Sequence, residues 1–597
     1  MFALRSLRLV SRRIPSQFTL QTPRLIQIHT GLPADINRRL YDVVQRMQEP
    51  PKKPAPPPKK RKQQLRDEKR QGFDEVLQAD IDALIRKHKP ATEVEVEVEY
   101  LSPPEPTLPE PFTEIEVQIA EISSTGDGLA LSEDKSHVYV VPFSVPGDKV
   151  LVKVVRHFPS LQYSITDFIK AVESGSQRND AGIGCQYFGK CSGCQLQMMS
   201  YEDQLAHKKR IVEKAYANFS GLLPELIPAI GDTFPSPLQY GYRTKLTPHF
   251  AAPPGSGRRR HKGASAPRHT EVPPIGFTYK NRRTDLDIED CPLGTDIVRQ
   301  GLKSERARVA ERISTYTQGA TLLLRESTSR TPKHEADRAT SEWPRTDDLN
   351  HATDYSADLI RTETDAYTEE KRCVTNPNAT TVEYVDDYVF TNKAGAFFQN
   401  NNSILTGFTD YIRQHALAPP SSSSSSTNTA DEPHPHNPIK YLLDAYSGSG
   451  LFTITLSPLF KSSLGVDVAG DSILSARQNA RANHLPNTGF AAADAAVLFK
   501  DVPYPADQTL LVIDPPRKGC SDDFLRQLLA YGPRRVVYVS CNVHTQARDV
   551  GVMVQGSAQQ KIRYEIESIR GFDFFPQTGH VEGVAVLNRV PIPEGSV

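Results

Sequence analysis

What this 597-residue chain lacks narrows it first. It carries no excess of charge: 71 basic residues balance 71 acidic ones. Bulk electrostatics therefore make no case for nucleic acid, and any such surface must be a local patch. No stretch approaches the ~20 consecutive apolar residues of a membrane span, which predicts a soluble protein without a membrane partner. The seven cysteines are not spread like a secreted disulfide framework. Three of them, Cys185, Cys191 and Cys194, lie close together, which points to a metal site in a reducing compartment. From Met1 to Ala34 there is no acidic residue, while Arg5, Arg8, Arg12, Arg13 and Arg24 sit among Leu, Ser, Phe and Ile. That is the composition of a mitochondrial transit peptide. A second basic run, Lys59–Lys62, reads as a nuclear signal or a solvated linker, so a matrix location and a nuclear or cytoplasmic one both stay open.

What is present divides the length into two to four domains. Residues 35–112 read as low-complexity linker, relieved by one short amphipathic helix with Val76, Ile81, Leu84 and Ile85 on its apolar side. Residues 113–172 read as short strands separated by turns, the pattern of a small OB-like β-barrel. Residues 173–395 form a mixed α+β central domain. Its helix, Tyr201–Tyr216, turns Leu205, Ala206, Val212 and Ala215 inward on periodicity. Three polar segments, near 252–272, 328–370 and 419–438, read as disordered surface inserts.

The last part, 396–597, is the most regular. YLLDAYSGSG, SLGVDV, TLLVIDPP and RRVVYVSC each pair an apolar strand with a polar loop, with helical patterns between them. That alternation predicts a doubly wound α/β sheet with its ligands at the carboxyl ends of the strands. Gly448 and Gly450 follow the first strand and let a ligand approach the backbone. Asp467 at the next strand end suits ribose hydroxyls. A nicotinamide site shares this layout but favours a further glycine three residues after Gly450, which is absent. Asp514 is held at the sheet edge by Pro515 and Pro516. Amine-directed methyltransferases often carry an aromatic residue where Arg517 stands, so amine chemistry is disfavoured. Cys541 stands immediately after an apolar strand on the same edge, and His580 and Glu582 lie near the end of the chain.

Taken together, DAYSGSGLFT, IDPPRKG, YVSCNVHTQARD and FPQTGHVE resemble, in order and spacing, the RNA uracil-5-methyltransferases. AFFQNNN at 396–402, YRTKLTPHF at 242–250 and IGFTYK at 275–280 are similar to upstream segments of that family, and the barrel resembles its TRAM domain. The resemblance implies a Rossmann-like domain dependent on S-adenosylmethionine. Cys541 would add to C6 of a uracil, which makes C5 nucleophilic towards the methyl group, and Glu582 would remove the C5 proton. Gln399, Tyr446, Asp467 and Asp514 would line the cofactor site, with Asp514 near the target base. Ser447 replaces the family's usual Cys, and Asp467 its usual Glu.

Cys185, Cys191, Cys194 and Cys291 make four potential thiolate ligands. They suit zinc or an iron–sulfur cluster; the pattern resembles that of members with a four-iron, four-sulfur cluster, and a metal-free set of thiols is the third option. The target implied is uridine 54 in the T-loop of transfer RNA, with Phe397, Phe398 and the aromatics of Phe572–Phe575 as candidate base stackers. Rival readings are a ribosomal RNA uracil-5-methyltransferase and a non-catalytic RNA-binding or RNA-folding protein. No obligate protein partner is evident.

Overall fold

The computed structural model describes residues 75–88, 108–256, 267–333, 355–417, 438–493, 498–499 and 502–592, with the side chains of 355–357 excepted. The basic segments at 1–34 and Lys59–Lys62, and most of the 419–438 insert, lie outside the described residues.

Strands Glu114–Ile122, Gly128–Leu131, Val138–Val141, Lys149–Phe158 and Tyr163–Glu173 close into a five-stranded barrel. Alternation sorts their side chains. Val117, Ala130, Tyr139, Val141, Val150 and Val152 fill one cluster, while Leu129, Val138, Val140 and Tyr163 belong to another. The helix at 75–88 covers this second face with Leu77, Ile81, Leu84 and Ile85. Burying each such side chain contributes about 1.5–3 kcal/mol as an upper bound.

The large sheet has eight strands, in the order Thr488–Ala492, Ser462–Asp467, Tyr441–Ala445, Thr509–Ile513, Arg535–Ser540, Glu582–Pro591, Ile562–Phe572 and Gly231–Phe234. The first five are parallel. Their apolar runs are continuous because both faces are covered: Leu511 and Ile513 join one core, Leu510 and Val512 the other. The strand order reverses between Tyr441–Ala445 and Thr509–Ile513, which opens a crevice at the carboxyl edge. Glu582–Pro591 runs antiparallel to Arg535–Ser540, so its first residue arrives at the edge where the parallel strands end.

The central part departs from its sequence pattern in three ways. Gly231–Phe234 joins the edge of the large sheet beside Ile562–Phe572, so one strand of segment 173–395 is built into that sheet. Residues expected as a disordered insert near 328–370 include ordered strands, Leu324–Pro332, Tyr355–Glu363 and Tyr367–Val374. Their polar residues pair across strands: Arg330 with Glu369, Arg361 with Glu370 and Lys371 with Glu326. Arg330 also lies against the rings of Tyr367 and Tyr384, 4.6 Å and 4.3 Å from their centroids. Finally, helix Tyr201–Phe219 buries Gln204, His207 and Lys208 in its first half, leaving Ala206 exposed and Leu205 half-buried. Only from Ile211 and Val212 onward does its buried face become apolar.

Among the described residues no helix is long and apolar enough to cross a membrane.

Candidate active site

The first loop at the carboxyl edge follows Tyr441–Ala445. Asp444 is fully buried, and one of its oxygens accepts from Thr453 N (2.9 Å) and Oγ1 (2.6 Å), pinning the loop to the start of the next helix. The other oxygen has no partner, nor does the buried Ser447 hydroxyl. Tyr446 takes a left-handed backbone (φ 65°) and lays its ring 5.6 Å from that of Phe524. Gly448 is also left-handed (φ +54°), and a Cβ added there would meet nothing within 4 Å, so the loop faces open space. Asp467, at the next strand end, accepts from Gly448 N (3.0 Å) and Ala469 N (2.7 Å). Each of its oxygens retains acceptor capacity.

Asp514 follows the strand across the reversal point, its N–H donating to Ala445 O at 3.3 Å. Burial pushes its carboxyl up to about 7, aided by the charges of Asp444 and Asp467. Burial likewise lifts Asp444 to about 7, against the two hydrogen bonds from Thr453. Asp444 and Asp514 are thus raised by desolvation and by neighbouring acidic charge, a setting that favours a cationic ligand.

The Asp514–Cys520 loop is tied to the segment that carries Cys541. Asn542 Nδ2 and Thr545 Oγ1 donate to Arg517 O at 2.9 Å and 3.1 Å, and Asn542 Oδ1 caps helix Val543–Gln555 at His544 N. Buried Asp549 accepts from Cys520 N (2.7 Å) and Tyr538 OH (2.6 Å). Gly519 is required there: a Cβ would stand 2.6 Å from Asp549 Oδ2, and its φ is +76°.

Cys541 is half-buried and extends from the strand whose last residue, Ser540, pairs with Gly583. Cys541 and Glu582 therefore occupy the next register level on adjacent strands. Burial raises the Cys541 thiol to about 12; the charges of Glu582 and Asp514 raise it further, while Arg517 opposes both through its charge and a hydrogen bond. Glu582 is itself buried and pushed well above its usual range, by burial first and then by Asp514, again opposed by Arg517. The structure so brings Cys541, Glu582 and Asp514 together and adds Arg517. The motif displayed that arginine but assigned it no part; a cation between two acids and a thiol was the signal available.

Gln399 is buried, and its segment is held beside the Glu582 turn by Asn401, which donates to Phe574 O at 3.2 Å. Phe397 is 76% exposed, whereas Phe398, Phe572 and Phe574 are core residues.

Cys185, Cys191, Cys194 and Cys291 line one cavity of about 240 Å³, apart from the carboxyl edge. Burial raises all four thiols; the charges of neighbouring thiols add to this at Cys191, Cys194 and Cys291, and that of Asp290 at Cys185. Among the described residues no group of three or more His, Cys, Asp or Glu side chains converges as a single metal ion requires. Cys373 and Cys520 are buried elsewhere.

A sequence profile of the family described as tRNA (uracil-5-)-methyltransferase matches residues 435–590. The tRNA (uracil(54)-C(5))-methyltransferase of Schizosaccharomyces pombe is 42% identical over 483 residues, covering 81% of this chain and 79% of its own. That of Saccharomyces cerevisiae is 40% identical over 496 residues, covering 79% and 73%. Among solved structures, the Pyrococcus abyssi tRNA (uracil-54, C5)-methyltransferase, in complex with S-adenosyl-L-homocysteine, shares the fold. It aligns with a TM-score of 0.51 at 22% identity, over 79% of this chain and all of that one.

Proposed function

The chain belongs to the tRNA (uracil-5-)-methyltransferase family, and from that premise we propose that it methylates C5 of uridine 54 in the T-loop of transfer RNA. The observation that carries the reading is the convergence of Cys541, Glu582, Asp514 and Arg517 at the sheet edge, beside the open face of Gly448.

Bound S-adenosylmethionine supplies the methyl group as an electrophile on a cationic sulfur. Asp467 is placed for the ribose hydroxyls, and Asp444, Ser447 and Asp514 offer unpartnered or raised acceptors to the positive end of that ligand. Tyr446 and Gln399 complete the lining. Cys541 Sγ, stabilised as thiolate by Arg517, adds to C6 of the extruded uracil. Asp514 is the neighbouring acceptor for the thiol proton. The ring becomes enolate-like at C5 and takes the methyl group. Glu582 then removes the C5 proton, the C5–C6 double bond re-forms and Cys541 leaves as thiolate. Phe397 supports the extruded base by stacking.

A pH dependence follows. Below about pH 7 the Asp444 and Asp514 carboxyls hold protons in the free protein. A cationic ligand favours their ionised forms, so its affinity rises from pH 6 to 8 and binding releases protons. Calorimetry in two buffers of different ionisation heat checks this. S-adenosylhomocysteine, uncharged at sulfur, is expected to show a weaker slope, and absence of proton release with S-adenosylmethionine contradicts the assignment.

The four-cysteine cavity is read as a four-iron, four-sulfur site. That all four cysteines line one shared cavity supports this reading. The cluster's role is structural or RNA-positioning, since methyl transfer has no redox step. Anaerobically purified protein is expected to contain iron and absorb broadly in the visible; iron-free protein with all four thiols titratable contradicts it. The barrel is read as a TRAM domain gripping RNA. The arginine-bearing, acid-free segment 1–34 supports import into the mitochondrial matrix, with Lys59–Lys62 as a route to the nucleus.

Nucleoside mass spectrometry of separated RNA pools from a deletion strain tests the substrate. Loss of 5-methyluridine from transfer RNA is expected; its persistence there, with loss from ribosomal RNA, overturns it.

A further inference from the structure

The loop 573–581, which delivers Glu582, is gripped by residues almost four hundred positions away. Lys208 is fully buried; its ammonium pairs with Asp573 and donates to Phe575 O at 2.9 Å. One turn earlier on the same helix, Gln204 forms a two-way amide pair with Gln577. Its Nε2 donates to Gln577 Oε1 and its Oε1 accepts from Gln577 N, each at 3.0 Å. The backbone N–H groups of Gln195 and Leu196 both donate to Gln577 O, at 2.8 Å and 3.1 Å. The Gln195 side chain accepts from Gly579 N (3.0 Å) and donates to Thr125 O of the barrel (2.7 Å). Tyr242 OH adds a bond to Pro576 O at 3.1 Å.

At the centre of this grip, Gln577 has φ +70°. A side chain of that size in the left-handed region is strained, and such strain persists where the surroundings over-determine the backbone. A buried lysine and two glutamines aimed at one loop are also an expensive way to achieve mere packing, since apolar residues of similar volume serve stability as well.

We propose that Gln195, Gln204 and Lys208 are positioning residues that clamp the Asp573–Val581 loop, so that Glu582 is held at the carbon whose proton it removes. The inference rests on the reading of Glu582 as the base. It makes the barrel and the long helix participants in one chemical step, proton removal, and not only in RNA binding.

The step can be isolated. On RNA carrying 5-fluorouridine the thiolate adds and the methyl group transfers, but fluorine cannot leave as a proton does, so the covalent adduct accumulates without the base. Full-length Gln195→Ala and Gln204→Ala proteins are compared with wild type and with Glu582→Gln. Lys208→Met is included as the severe case, since removing one partner of a buried pair can unfold the protein. For the two glutamine variants, adduct formation is expected to stay within about twofold of wild type, while turnover on uridine falls about 10²-fold, the scale of a misplaced catalytic group. Deuterium at C5 is expected to slow these variants more than wild type, because proton removal has become limiting. A parallel fall in adduct formation and turnover, or an unchanged isotope effect, overturns the clamp. Failure of wild type to form the adduct, or normal turnover by Glu582→Gln, instead removes the reading on which the clamp rests.

Discussion

Replacing Cys541 with alanine is expected to abolish methyl transfer, lowering turnover by at least about 10⁴-fold, as loss of a covalent nucleophile does. Uracil C5 reacts with a methyl sulfonium only after the ring has been saturated at C6, and no other thiol of the carboxyl edge is placed to do this. Cys520 is buried against Tyr538 and Asp549, its Sγ 3.7 Å from Tyr538 OH, and so cannot substitute. The fold should tolerate the change, because the strand ends at Ser540 and the loop ties run through Asn542, Thr545 and Asp549. The check is tritium transfer from labelled S-adenosylmethionine to a T-loop transcript, with binding of that transcript measured alongside. Retained binding without transfer is expected. Transfer at the wild-type rate would assign the chemistry elsewhere.

The free thiol stands near 12, so it is protonated at neutral pH. In the proposed mechanism activation falls to Arg517 and the bound base, so alkylation of Cys541 by iodoacetamide should be slow in the free protein and rise steadily with pH. This is the behaviour of a nucleophile switched on by its substrate, in contrast to cysteines whose thiolate is preformed.

Glu582→Gln is expected to lower turnover by about 10²–10⁴-fold, the share of a general base, while leaving attack and methylation intact. Glutamine keeps the shape of the side chain but cannot take the C5 proton. The enzyme should then stall after methyl transfer, and a covalent complex with ordinary uridine RNA should accumulate on denaturing gels. The raised carboxyl of Glu582 is a stronger base than a solvated one, once ionised. Wild-type turnover should accordingly rise with pH as Glu582 loses its proton, and the variant should lose that limb. No stalled complex, together with near-normal turnover, would give the proton to another group.

Much of this was legible because local and global signals agree. The parallel strands are apolar on both faces, and the motif loops are their polar ends, so DAYSGSG, IDPPRKG and SCN announce both fold and site. The helix at 75–88 read as amphipathic because its partner, the barrel, is a conventional apolar face. Where polar residues are buried, the signal inverted. Arg330 and Glu369 looked like part of a solvated insert because each finds its partner on the neighbouring strand. Periodicity puts Leu205 and Ala206 on the inward face and passes over Gln204 and Lys208, because their partners, Gln577 and Asp573, come from the far end of the chain. Gly231–Phe234 is too short to announce itself, and it becomes a strand only because the edge of Ile562–Phe572 is there to pair with it. Arg517 was visible but mute until the antiparallel strand brought Glu582 beside it.

The most direct measurement is mass spectrometry of the enzyme incubated with S-adenosylmethionine and T-loop RNA carrying 5-fluorouridine at position 54. After digestion, the account predicts one methylated fluorouridine nucleotide attached to the peptide containing Cys541. Attachment to another residue, or no attachment under conditions where ordinary uridine RNA is methylated, would contradict it.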